Sequence, residues 1–326
     1  MIQPPRTATT HPGKLITFHT DPYMKIPVFV SGEADRCIIW LGGQCDGFFV
    51  NQYMPLLTEE LPKIGWCMAQ MMSSSAFMGH GSHTHVQDAE DLDDLITTMV
   101  TEHGMKEITL FASSTGVQIA LEEMENGENV EAITRVILQG VVCNPEDPIF
   151  TKESEEKRRE VARELCAQGR EEEVTDMRAH YDIPVSAARV NSGGHLSLME
   201  ALWLPAHREE HATIAKNISA IRVPLLVMIA FGPGYFFSRE DRKGFETVLR
   251  AAASTSELSL QWLHGVCDER RRMLKADEAK ITADIVYFLS EQDSKRRKRE
   301  EEEAAEHAEF ERRNRSVLAK SALKLQ

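Results

Sequence analysis

Residues 107–120 read EITLFASSTGVQIA, a strand-like run that passes through small residues straight into a helical pattern. Ser114 stands two positions after Ala112 and two before Gly116. A serine that attacks acyl carbon must sit on a very tight strand-to-helix turn, where strand and helix nearly touch and only small neighbours fit. Such a turn lifts the hydroxyl above a sheet at the amino end of a helix, whose dipole favours a developing negative charge. Upstream, Leu41-Gly42-Gly43-Gln44 follows another strand-like run. That glycine-rich turn could offer backbone N–H groups to an oxyanion; the plainer reading is that two glycines allow a sharp bend. The chemistry these residues could do is acyl transfer. Ser114 would be the nucleophile, with the backbone amides of Gly43 and Thr115 as oxyanion donors.

Such a site needs a sheet beneath it, and the chain supplies the pattern of one. Arg36–Leu41, Trp66–Met72, Glu107–Phe111, Ile133–Leu138, Pro224–Ala230 and Leu258–Leu263 read as strands. Gln52–Leu61, Asp88–Glu102, Thr115–Met124, Arg242–Ala252 and Ala279–Ser290 read as helices. Strands alternating with helices of this length predict βαβ units and a parallel sheet. The stretch to Pro27 reads as an arm or an edge strand. Between 146 and 220 the chain turns charged and helical, then irregular, the look of a cap inserted over a sheet. The organisation expected is an arm (1–27), a first half of the core (28–145), a helical cap (146–220), a second half (221–290) and a charged C-terminal helix (291–326). That last helix is too polar to fold onto a core and is expected to project.

Several blocks in order resemble the DUF1749 group of α/β-hydrolase-fold proteins, which includes siderophore-esterase-like members. They are residues 42–47 (GGQCDG), Ser73-Ser74-Ser75 with Gly79 and Gly81, 114–118 (STGVQ) and 137–140 (ILQG). The cap sequence Ala162–Glu173, followed by 184–187 (PVSA), continues the series. The resemblance covers about residues 20–290. It implies an α/β-hydrolase fold: a mostly parallel central sheet with helices on both faces and a helical cap.

It also implies where a catalytic acid and base should stand, and there the chain departs from the pattern. The family's strand matching Pro224–Ala230 leads into an Asp-Glu-Tyr loop that supplies the acid. Here the loop reads Phe231-Gly232-Pro233-Gly234-Tyr235, with Pro233 at the acid's place. After the last core strand the family has a Gly-Ala-x-His turn, whereas this chain has Gly265-Val266-Cys267-Asp268. A carboxylate at 268 cannot replace an imidazole of matched pKa. His264, four residues earlier, is the candidate for a displaced base, and Glu240 or Asp241 for a displaced acid. The blander reading makes His264 an ordinary strand-end residue and leaves Ser114 an unactivated alcohol.

Other clusters weigh less. His207-Arg208-Glu209-Glu210-His211 matches the H-x-x-E-H zinc pattern, with both imidazoles on one helical face. Its place inside a cap argues against that reading, and no metal or cofactor is expected. His80, His83 and His85 crowd one stretch and read as a pocket-rim loop. The run Lys295–Arg299 could be a nuclear address or an RNA contact. The four glutamates behind it cancel its field within about a Debye length, ~8 Å at physiological salt.

Composition bounds the rest. The net charge is −14 over 326 residues, yet residues 294–326 carry 10 basic against 7 acidic side chains. An acidic body repels phosphate backbones, so nucleic acid could bind only through the 294–326 tail. No apolar run reaches the roughly 20 residues of a membrane span. Six scattered cysteines without a CxxC pair, and a start lacking a signal-peptide core, point to free thiols in a reducing compartment. The compartment expected is intracellular, cytoplasmic or cytoskeletal, with organellar and nuclear addresses left open. The expected function is a non-catalytic α/β-hydrolase-fold scaffold, docked by its C-terminal helix to proteins of a large cytoskeletal or ribonucleoprotein assembly. The alternative is an active serine esterase using Ser114 with a displaced base.

Overall fold

The computed structural model describes residues 9–21, 24–43, 46–140, 152–176, 184–192, 215–231, 239–264 and 275–323. Eight strands form one sheet. They are β1 (Lys14–Asp21), β2 (Met24–Ser31), β3 (Arg36–Leu41), β4 (Cys67–Met71), β5 (Glu107–Ser113), β6 (Ile133–Gly140), β9 (Leu225–Phe231) and β10 (Leu258–His264). Their order is β1-β2-β4-β3-β5-β6-β9-β10. The first two pairings, β1 with β2 and β2 with β4, are antiparallel, and every other pairing is parallel. The edge-strand alternative for the start of the chain is the one realised over Lys14–Asp21.

The middle strands are apolar along nearly their whole length, as a sheet covered on both faces requires. Every residue of β4 and β5 is buried, including Met68, Ala69, Leu110, Phe111 and Ala112. Helices link these strands: α1 (Met54–Glu60), α2 (His85–Thr101), α3 (Gly116–Asn126) and, later, α6 (Arg239–Ala252). The sequence pattern places the start of α2 at Asp88, three residues late. Thr84 explains the difference: its Oγ1 accepts the Gln87 amide at 3.2 Å while Gln87 Oε1 accepts the Thr84 amide at 2.8 Å. This reciprocal cap starts the helix before its apolar face begins.

The inserted region has a small core of its own. Helix α4 (Lys152–Ala167), the antiparallel pair β7 (Val174–Asp176) and β8 (Val185–Ser186), and α5 (Ala187–Asn191) are its described elements. Ala162, Val185, Ala187 and Val190 cluster there, with Leu165 and Cys166 packed against them.

Residues 1–282 form one compact unit and residues 283–326 a second. The expected closing helix and the charged tail are one element, α7 (Lys275–Leu323). No glycine or proline interrupts those 49 residues, so nothing ends the helix at 290. Every residue from 301 to 309 is exposed. Arg296 faces Glu300 at 3.6 Å and Lys298 faces Glu302 at 3.8 Å, two of the expected i,i+4 pairs. Among the described residues no helix is long and apolar enough to cross a membrane.

Candidate functional site

The site is built at the carboxyl ends of β3, β5 and β6. Strand β5 ends at Ser113, and Ser114 then takes φ +55°, a left-handed conformation that side chains other than glycine rarely adopt. Such a residue costs on the order of 1–3 kcal/mol and persists only where its surroundings over-determine it. They do so here. The Ser114 amide donates to the Gln139 carbonyl of β6 at 3.0 Å, and the Val117 amide donates back to the Ser114 carbonyl at 3.1 Å. A Cβ on Gly116 would lie 2.5 Å from the carbonyl oxygens of both Leu41 and Gly42, so only glycine lets α3 start this close to β3. Ala112 is fully buried on the other side of the turn. Thr115 is the residue from which α3 departs.

Gly43 lies directly beneath the serine. A Cβ there would stand 2.8 Å from Ser114 Cβ and 3.3 Å from Ser114 Oγ. Ser114, Gly43 and Thr115 thus lie together at this turn. The structure also adds a group that no sequence motif assigns a role. The Gly43 amide donates to Asp46 Oδ2 at 2.7 Å, and the Asp46 amide donates to the Gly43 carbonyl at 3.1 Å. Burial pushes the Asp46 carboxyl up to about 6, against the opposing pull of the Gly43 N–H. Beside it, the buried Tyr53 hydroxyl donates to Gln139 Oε1 at 2.5 Å. Burial, and then the Asp46 charge, keep that phenol protonated. Gln139 therefore braces the site twice, by its carbonyl at Ser114 and by its side chain at Tyr53. Asp46, Tyr53 and Gln139 carry no catalytic signature in sequence; the only signal was an aspartate three residues after a glycine pair.

The loop after β4 is held by carboxylates. Asp88 accepts from the Ser75 amide at 3.0 Å, and Ser74 Oγ donates to Asp91 at 2.6 Å. Of the three histidines expected to share a loop, His80 lies in a 3-10 turn over Phe77–Gly81, and His83 Nδ1 meets Ser82 Oγ at 3.1 Å. His85 is not in a loop but opens α2, where burial lowers its pKa and Glu122 stands 3.9 Å away. No three His, Cys, Asp or Glu side chains among the described residues form a group able to hold a metal ion.

The remaining candidates do not join this cluster or fall outside what is described. His264 is the last residue of β10, in register with Phe231 of β9. Strands β6 and β9 lie between β10 and β5, so three strand spacings, ~14 Å in all, separate the β10 backbone from that of β5. Glu240 and Asp241 belong to the first turn of α6. Pro233, Asp268 and the His207–His211 motif lie outside the described residues.

The chain matches the family described as "Protein of unknown function (DUF1749)" over residues 6–200. It belongs to that family. A UPF0613 protein of Schizosaccharomyces pombe is 28% identical over 125 residues, which are 35% of this chain and 39% of that protein's length. A solved structure described as an alpha/beta hydrolase fold protein of unknown function is 39% identical, with a TM-score of 0.76 over 89% of this chain and 99% of that one. The siderophore hydrolase EstB of Aspergillus fumigatus superposes with a TM-score of 0.58 at 16% identity, covering 86% of this chain and 97% of its own. A monoglyceride lipase of Saccharomyces cerevisiae, solved with a substrate analogue, gives 0.56 at 12% identity over 89% and 98%. This DUF1749 protein therefore has the α/β-hydrolase fold, and its structural neighbours include esterases and lipases.

Proposed function

We propose that this DUF1749 protein is a non-hydrolytic member of the α/β-hydrolase fold, an inherited scaffold that serves as an interaction component of a larger assembly. One observation carries the reading: the Gly43 amide, the N–H an oxyanion would need, already holds the Asp46 carboxylate at 2.7 Å. Oxyanion stabilisation requires donors aimed at the place where charge develops. An ionised carboxylate there both occupies the donor and repels the incoming charge. The loop residues support the same reading, since 232–238 contain no acid and 265–274 no histidine.

The partners in this reading are proteins of a cytoskeletal or ribonucleoprotein assembly, with α7 as the docking element because its 301–309 segment is wholly exposed. Nucleic acid enters, if at all, only through 294–326. Two experiments test the two halves. Hydrolysis of short-chain p-nitrophenyl esters by the full chain should equal that by Ser114→Ala, and a rate lost in the variant would defeat the non-hydrolytic half. Full-length protein from native extract should elute well above its own mass and shift downward when 301–326 is deleted. An unshifted elution would defeat the docking half.

A second reading, a working serine esterase, is favoured by the left-handed backbone at Ser114, because strain of this kind gathers at functional sites. It needs a base outside the two departed loops and a way to free the Gly43 amide.

A further inference from the structure

At the end of the sheet opposite Ser114, two cysteines face each other. Cys37 is the second residue of β3 and Cys67 the first of β4, and the two are direct partners in the parallel register. Paired residues of neighbouring strands point to the same face of a sheet, so the thiols share one side. Each thiol lies close enough to the other to perturb its ionisation. Both are free and both are buried.

We propose that Cys37 and Cys67 form a reversible redox pair, oxidised by hydroperoxides to a cross-strand disulfide. Strand spacing places the two Cα atoms about 4.8 Å apart, inside the window of roughly 4.4–6.8 Å that a disulfide tolerates. The position lies at the short end of that window, where a bridge is strained and therefore readily reduced. A bridge there closes without moving either strand.

The pair is shallow despite its burial. Its cover is the β2–β3 turn, residues 32–35, in which Gly32, Glu33 and Asp35 are exposed. The Cys67 thiol points at the Ala34 carbonyl of that turn, 3.9 Å away. A Cβ on Gly32 would rest 3.5 Å from the Cα and Cβ of Cys67, so the turn packs directly on this residue. The turn is held by one backbone bond, the Lys106 amide donating to the Asp35 carbonyl at 2.7 Å, and by the exposed pairs Lys14–Glu33 and Lys106–Asp35, which contribute little. Local opening of such a turn is far cheaper than global unfolding and admits a small reagent.

The two sulfurs are unequal. The neighbouring Cys37 draws the Cys67 pKa down, whereas Cys67 and then full burial raise that of Cys37. Cys67, whose thiol lies directly under the turn at the Ala34 carbonyl and so meets an entering reagent first, is the attacking sulfur and Cys37 the resolving one. The Cys67 sulfur attacks the hydroperoxide, a sulfur–oxygen bond forms, the oxygen–oxygen bond breaks and the alcohol leaves. Cys37 then attacks the resulting sulfenic acid. The disulfide forms, the sulfur–oxygen bond breaks, and water leaves with the Cys37 proton. The two thiols lose two electrons, and the peroxide gains them. An external dithiol returns the pair to its reduced state.

The test uses full-length folded protein treated with a few equivalents of tert-butyl hydroperoxide, then alkylated under denaturing conditions and digested. The inference expects a peptide pair joined through Cys37 and Cys67 that is lighter by two hydrogen atoms than the free peptides. It should be the majority species and vanish on treatment with dithiothreitol. Cys67→Ser should abolish it, and Cys166→Ser should leave it intact. Recovery of Cys37 and Cys67 as alkylated free thiols, or of Cys67 oxidised without a partner, would overturn the inference on the unmutated chain alone.

Discussion

The two sides of the sheet's carboxyl edge have fared differently. Beside β3 and β5 the turn that presents a nucleophile is complete, with Ser114 left-handed and Gly116 pressed on the Leu41 and Gly42 carbonyls. After β9 and β10 the sequence has Pro233 and Asp268 where the family resemblance would put an acid and an imidazole. The difference follows from what each side does for the fold. The elbow is part of the core: its backbone packs against β3 and is tied to β6, so any change there disturbs the sheet. An acid and an imidazole kept for catalysis carry chemistry that the fold does not need, so on the non-hydrolytic reading proposed above they can be replaced. Retention of the elbow therefore says less about catalysis than its geometry suggests.

The most disruptive way to probe this contrast is Gly116→Val. Its side chain meets two backbone oxygens that cannot move aside, and the variant should lose about 3 kcal/mol or more in denaturant unfolding. A near-neutral result would mean that the elbow is not held by packing. Next in size is a pH effect. Burial raises Glu123 to about 8 and Asp46 and Asp91 each to about 6, all above their values in an unfolded chain. Their stabilising contribution is complete below about pH 4 and is lost as pH rises through about 6 and then about 8. Unfolding free energy should fall across that window, other groups being equal. Glu123→Gln should flatten the upper part of the fall and Asp46→Asn the lower part.

Tyr53→Phe comes third. It leaves the buried Gln139 side-chain oxygen without its donor and should cost about 1–2 kcal/mol in the same assay. Lys298→Ala, on the exposed tail, should change stability by no more than about 0.5 kcal/mol. A larger loss would show that α7 depends on its surface pairs.

Much of this was legible in the sequence because strands and helices announce themselves by period. The EITLFAS run and the Ala112–Gly116 spacing marked the elbow before any coordinates did. What escaped were features that depend on which elements meet. Asp46 reads as a loop aspartate until the turn folds its carboxylate onto the Gly43 amide. Tyr53 and Gln139 lie 86 residues apart and meet only once the chain has folded. The helix over residues 275–323 was divided in two because its apolar spacing stops near 290, although nothing in the backbone does.

The central claim is that Ser114 has no activated hydroxyl, and reaction with a fluorophosphonate probe tests it most directly. The folded full-length chain, at neutral pH, should show no more labelling at Ser114 than the denatured chain does. Stoichiometric labelling of the folded protein, lost on denaturation and in Ser114→Ala, would contradict it.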